Sequence, residues 1–162
     1  MTQNIELQRA HDTLINGDPE ARAEAINTLG EAGYAPAVPT LRRLVSEADP
    51  GTRFLAAKAL GRIGDEAESA VPELLQALRA NDMFLRAAVT GALIQIGNPS
   101  VPGLVKALFD QNKAVRRASA KALGKIGHER ALPPLRVALN DSDPGVRKFS
   151  EQAITRIEAL AQ

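Results

Sequence analysis

Histidine is the side chain best suited to move protons near neutral pH, and this chain has two, His11 and His128. A catalytic serine would need a base beside it, and two histidines far apart in sequence leave little choice. There is no cysteine, so disulfides, thiolate nucleophiles and thiolate metal ligands are all excluded. Asp141-Ser142-Asp143 places two carboxylates close together, but its setting reads as a helix-to-helix turn ending in a cap, not as an acid–base dyad. The regularly spaced glycines Gly33, Gly64, Gly97 and Gly127 read as helix ends and form no loop that could cradle a phosphate. These residues predict no catalysis by the chain's own side chains and no resident metal or cofactor.

A different pattern recurs. An Asp or Asn followed four residues later by Arg appears five times, as Asp18 and Arg22, Asp49 and Arg53, Asp82 and Arg86, Asn112 and Arg116, and Asp143 and Arg147. The period is roughly 31 residues, which predicts a solenoid of stacked helix pairs. The intervals from Pro39 to Pro50, Pro72 to Met83, Pro102 to Lys113 and Pro133 to Pro144 are all 11 residues. From those second positions to Gly64, Gly97, Gly127 and Glu158 the interval is always 14, as it is from Pro19 to Gly33. Length varies only between the glycine and the next proline, at 6, 8, 5 and 6 residues. An insertion inside a helix would rotate its buried face, whereas a surface turn absorbs one. Turns between units are therefore expected near Tyr34–Ala37, Asp65–Ser69, Asn98–Ser100 and His128–Arg130.

Each unit then has two helices. The first begins at the proline, whose missing N–H is not needed in a first turn. The second begins after the Asp or Asn, which caps its free N–H groups, and ends at Gly33, Gly64, Gly97 or Gly127 in left-handed caps. Stacked in register, the five Asp/Asn–Arg pairs form a structural ladder in which the arginine of one unit bonds the cap of its neighbour. The fold class is all-α: an α-solenoid of five antiparallel helix pairs. It is read as a single domain over residues 1–162, with units at about 4–33, 36–64, 69–97, 99–127 and 130–160. Polar replacements mark the end units, Ser150, Glu151, Gln152 and Thr155 in the last and Glu24, Asn27 and Thr28 in the first. These are read as end caps, and five pairs as the whole protein.

At Ala59-Leu60-Gly61-Arg62-Ile63-Gly64-Asp65 and Ala122-Leu123-Gly124-Lys125-Ile126-Gly127, with the upstream Asp-Pro and Arg, the chain resembles HEAT-repeat proteins. It is most similar to the short-repeat branch named after phycobilisome lyases, over about residues 5–160. The resemblance implies a HEAT/armadillo-like superhelix. That branch holds bilin lyase subunits, chaperone-like relatives, phycobilisome-degradation factors, scaffolds, and a di-iron hydroxylase whose metal is held by His-Glu pairs. Here His128-Glu129 is one such pair, alone and in a turn, and a single histidine cannot reproduce a multi-histidine iron site. His11 is read as a solvated residue of the first helix.

In such stacks the second helices line the inner, concave wall, where partners bind. Alignment on Ile63, Ile96, Ile126 and Ile157 gives three outward rows on one helical stripe. Nine residues upstream stand Ala23, Phe54, Ala87, Arg117 and Lys148; five upstream Asn27, Lys58, Gly91, Lys121 and Gln152; one upstream Glu31, Arg62, Gln95, Lys125 and Arg156. Seven of these fifteen are Lys or Arg and one is acidic, although the net charge of the whole chain is only +1. Positive charge is therefore concentrated on one face, while Glu47, Glu66, Glu68, Glu73 and Asp110 lie elsewhere. Gly91 and Ile94, with Phe54, interrupt the basic run and predict an apolar, open spot mid-groove.

The expected function is a non-enzymatic protein–protein interaction scaffold that binds an acidic partner surface through Phe54, Lys58, Arg62, Gly91, Ile94, Gln95, Arg117, Lys121, Lys125, Lys148 and Arg156. The alternative implied by the resemblance is a bilin lyase subunit or chromophore-binding chaperone that holds a transient bilin by its propionates, with a phycobiliprotein or second lyase subunit as partner. Aromatics make up 3% of the chain, too few to line a base-stacking platform, which argues against nucleic acid. The first residues are polar, with no apolar signal region, and no run approaches a membrane span, so a cytoplasmic protein is expected.

Overall fold

The computed structural model describes residues 2–162, with side chains from Gln3 onward. Its α-helices pair in sequence: α1 (Thr2–Asn16) with α2 (Pro19–Glu31), α3 (Val38–Glu47) with α4 (Pro50–Ile63), α5 (Val71–Ala77) with α6 (Met83–Ile96), α7 (Val101–Ala107) with α8 (Lys113–Ile126), and α9 (Leu132–Ala138) with α10 (Pro144–Leu160). No strand occurs among the described residues. The units are joined by 3₁₀ turns at Ala35–Ala37, Gly64–Ala70, Asn98–Ser100 and Glu129–Ala131. The longest of these absorbs the eight-residue interval, so the variable lengths fall in turns.

Local signals set the boundaries. Asp18, Asp49, Asp82, Asn112 and Asp143 each accept a backbone N–H from the first turn of the helix that follows. Pro39, Pro72, Pro102 and Pro133 lie in the first turns of α3, α5, α7 and α9. The glycine caps differ from expectation in detail. Gly127 is left-handed, with φ 79° and ψ 20°, and Gly33 has φ 60°; Gly64 and Gly97 instead combine φ near 80° with extended ψ, a region few side chains enter. That conformation turns the chain sharply into the next 3₁₀ turn.

Two leucine columns form the core. Leu29, Leu60, Leu93 and Leu123 from the second helices interlock with Leu41, Leu74, Leu104 and Leu135 from the first, all fully buried. Alanines fill the narrow space between successive second helices, which glycine narrows further. A methyl built on Gly30, Gly61 or Gly124 would sit 2.8 Å from the Cα of Ala59, Ala92 or Ala153 respectively. Backbone therefore rests on backbone from α2 to α4, α4 to α6, and α8 to α10.

The third unit breaks this seam. Ile94 stands on α6 where the first, second and fourth units carry Gly30, Gly61 and Gly124, and its register partner on α8 is Ala122. A branched side chain at this position cannot allow backbone contact, and α6 packs more sparsely on α8 than α4 does on α6 or α8 on α10.

Candidate partner-binding face

The five arginines of the ladder are structural, but their partners differ from expectation. Arg22 donates to Gly17 O, Arg53 to Val45 O, Arg86 to Ala80 O, Arg116 to Asp110 O and Gln111 O, and Arg147 to Asp141 O and Ser142 O. Each guanidinium closes the turn within its own unit. The carbonyls at the end of a first helix lack helical partners, and a cation is favoured there by the helix dipole. The neighbouring cap carboxylate is already engaged with its own helix.

Only Arg116 also reaches the next unit, through both carboxylate oxygens of Asp141 at 2.8 and 3.0 Å. The bond from an arginine to a neighbour's cap is made by Arg117, which holds Asp143 at 2.6 and 2.5 Å. The Arg117 guanidinium holds the Asp143 carboxyl below the usual carboxylate range, and the Arg116 bond does the same for Asp141. Arg117 was expected to face a partner; it instead latches α8 to α10. Arg62 lies 3.6 Å from Glu31, a loose pair between exposed groups.

The other expected cations stay available. Among the described residues Lys58, Lys121, Lys125, Lys148 and Arg156 make no ion pair, and all five are exposed. Three carboxylates pair with arginines in or beside the first-helix layer. Glu73 on α5 pairs with Arg42 on α3, Asp110 with Arg79, and Glu158 with Arg136 on α9. Burial pushes the Glu73 carboxyl up, but the Arg42 bond wins and leaves it below its ordinary value.

Three depressions open on the second-helix face. The largest, about 640 Å³, lies between α4 and α6 and is lined by Phe54, Lys58, Arg62, Phe84, Ala87, Ala88, Gly91, Ile94 and Gln95. A second, about 280 Å³, lies across α6, α8 and the edge of α10, with Gly91, Ile94, Ala118, Lys121 and Phe149 in its wall. The third, about 320 Å³, lies between α8 and α10 beside Lys121, Lys125, Phe149 and Arg156. Phe54 is half-buried, and the Lys58 ammonium sits 5.3 Å from its ring centroid, a cation–π contact. Gly91 is open: a methyl built on it meets nothing within 4 Å. Gln95 turns its amide oxygen over Gly61.

Sequence reasoning missed Phe84 and Phe149, which line these depressions. Phe149 stands eight residues before Ile157 and Phe84 twelve before Ile96, on columns adjacent to the three that were aligned. The adjacent apolar pair Met83-Phe84 just after Asp82 was the sequence signal for Phe84, and the structure leaves the two 68% and 71% exposed.

The histidines remain apart. The His11 ring meets Tyr34 edge-on at 5.9 Å, and its Nε2 is buried, so it is not the solvated residue expected. His128 Nδ1 accepts the N–H of Arg130 and caps the last 3₁₀ turn. Among the described residues no group of three or more His, Asp or Glu converges as a metal site would require. No helix among them is long and apolar enough to cross a membrane.

Comparison with curated proteins by sequence yields no match. Solved structures similar to this one share its helical stacking. An archaeal HEAT-like repeat protein from Thermococcus onnurineus NA1 has a TM-score of 0.66 at 12% identity, over 94% of this chain and 70% of that one. The complex of CpcE and CpcF of phycocyanin lyase from Nostoc sp. PCC7120 gives 0.63 at 24% identity over 94% of this chain, which spans 65% of that chain. A designed armadillo repeat protein in complex with a (KR)4 peptide gives 0.57 at 18%, over 93% of this chain and 81% of that one. At these identities the likeness speaks for the fold. The profile described as HEAT repeats matches residues 7–93 and 71–155, the stretch that carries the Asp–Arg columns and the leucine core. The chain belongs to the HEAT-repeat family.

Proposed function

We propose that this protein is a non-enzymatic scaffold that grips an acidic protein surface through its second helices. The observation that carries this reading is a row of exposed cations without ion pairs. Lys58, Lys121, Lys125, Lys148 and Arg156 are exposed and unpaired on one face, while Glu73, Asp110 and Glu158 are tied to arginines in or beside the first-helix layer. Such a face steers and orients an anionic partner without needing catalytic groups. The backbone contacts at Gly30, Gly61 and Gly124 support its placement on the concave side, because a stack curves toward its more closely spaced layer.

The test uses Lys58→Glu, Lys121→Glu and Lys125→Glu together. These three side chains make no ion pair among the described residues, so their reversal should leave helicity unchanged and lower melting only slightly, through loss of the Lys58–Phe54 contact. Binding to acidic proteins should be lost, and wild-type binding should weaken as salt is raised. Unchanged, salt-independent binding would refute the reading.

A second reading has its own support. The α4–α6 depression sets Phe54 and Phe84 beside Lys58 and Arg62, which suits a flat pigment with carboxylate arms. On that reading the protein is a bilin lyase subunit or chromophore-handling chaperone. An absorption shift on mixing a linear tetrapyrrole with the protein, lost in Lys58→Glu, would favour it. An unchanged spectrum would remove it.

A further inference from the structure

We infer that the α6 step of the basic face is a socket for one apolar side chain, and that its occupant is an acidic peptide segment with carboxylates three residues to either side of that anchor. This rests on the scaffold reading and specifies the partner.

Lys58 on α4, Gly91 on α6 and Lys121 on α8 occupy equivalent positions, so their register column reads cation, gap, cation. The gap is real, since a Cβ at Gly91 would meet nothing within 4 Å. Its surroundings are apolar. Ile94 and Ala87 line the depressions on both sides of α6, Phe84 and Phe54 stand on the α4 side, and Phe149 and Ala118 on the α8 side.

Ile94 supplies the second, independent part of the geometry. It occupies the position at which the first, second and fourth units use glycine to bring helices together, and α6 packs sparsely on α8. The same helix thus carries both the wedge that opens the seam and the missing side chain that leaves a floor. Two departures from the repeat, three residues apart on one helix, act at one place.

Spacing then selects the occupant. Packed helices lie about 8–10 Å apart, so Lys58 is one such step from the gap, and Lys121, across the opened seam, is at least one. A polyproline-II segment advances about 3.1 Å per residue with three residues per turn, so side chains i−3, i and i+3 face the same way about 9 Å apart. A segment of the form acid-x-x-apolar-x-x-acid can therefore place its carboxylates on Lys58 and Lys121 with its anchor over Gly91. A buried apolar anchor within a charged rim is also the arrangement that concentrates binding energy at protein interfaces.

The test titrates the full chain with the end-blocked, labelled peptide Glu-Pro-Pro-Phe-Pro-Pro-Glu by fluorescence anisotropy. Two controls accompany it, the peptide with Ala for Phe and the isomer Pro-Pro-Glu-Phe-Glu-Pro-Pro of identical charge. The first peptide should bind about tenfold or more tightly than either control. Gly91→Leu, which fills the floor and adds a stronger helix former, should erase that preference while melting no lower than wild type. If all three peptides bind equally and salt-dependently, the socket is wrong and the scaffold reading survives. If none binds at low salt, both fail. A Phe preference that survives Gly91→Leu would place the anchor elsewhere and overturn the inference. So would a short oligonucleotide that binds more tightly and ignores Gly91→Leu.

Discussion

At the scale of single residues, most of the stabilising chemistry follows from short-range signals. A cap needs only Asp or Asn before a helical run, so Asp18, Asp49, Asp82, Asn112 and Asp143 were legible, and Asp82→Ala should cost roughly 1 kcal/mol in denaturant unfolding. The partner of Arg117 was not legible. Alignment shows which face a residue occupies, but its bond to Asp143 depends on how closely α8 approaches α10, which glycine spacing sets only after folding. That pair has a titration signature. The native Asp143 carboxyl lies below its usual value of about 3.9, so the unfolded chain binds its proton first as pH falls. The stability it contributes is complete above about pH 5 and drains away as pH drops below about 4 toward the depressed native value. Thermal melts across that range should show this loss in wild type and a smaller slope in Asp143→Asn. An equal slope would mean the pair adds nothing to stability.

At the scale of helices, glycine means opposite things at two sites on neighbouring elements. Gly61 on α4 meets the Ala92 backbone, whereas Gly91 on α6 faces open space. Gly61→Ala should destabilise by about 1–3 kcal/mol through overpacking, and Gly91→Ala should stabilise by about 0.5–1 kcal/mol through helix propensity. Chemical denaturation of the two variants decides this; the same sign for both would contradict the packing described here. The helix-pair pattern was readable because prolines, caps and glycines recur at fixed intervals. The opened α6–α8 seam was readable only as an irregularity, Gly91 with Ile94, because a sequence records a missing glycine but not how far two helices part. Phe84 and Phe149 escaped for a related reason: they lie on columns beside the three followed, and only helix packing shows that those columns border the same depressions.

At the scale of the whole molecule, the two layers differ in how their cations are used. First helices and their turns hold arginine and carboxylate together, as Arg42 with Glu73 and Arg79 with Asp110, while second helices leave lysines facing outward. Pairing within a layer is a matter of register, since Arg42 and Glu73 are 31 residues apart, one repeat. On the second helices Arg62 and Arg117 are paired, with Glu31 and Asp143, while Lys58, Lys121, Lys125, Lys148 and Arg156 have no ion pair among the described residues, and it is these five that the proposed function uses. The most direct measurement is to map an acidic peptide onto the protein by amide chemical-shift perturbation. Shifts should concentrate on α4, α6, α8 and α10 around Lys58, Gly91 and Lys121, and fade as salt is added. Shifts centred on α3, α5, α7 and α9, or none at low salt, would contradict the account.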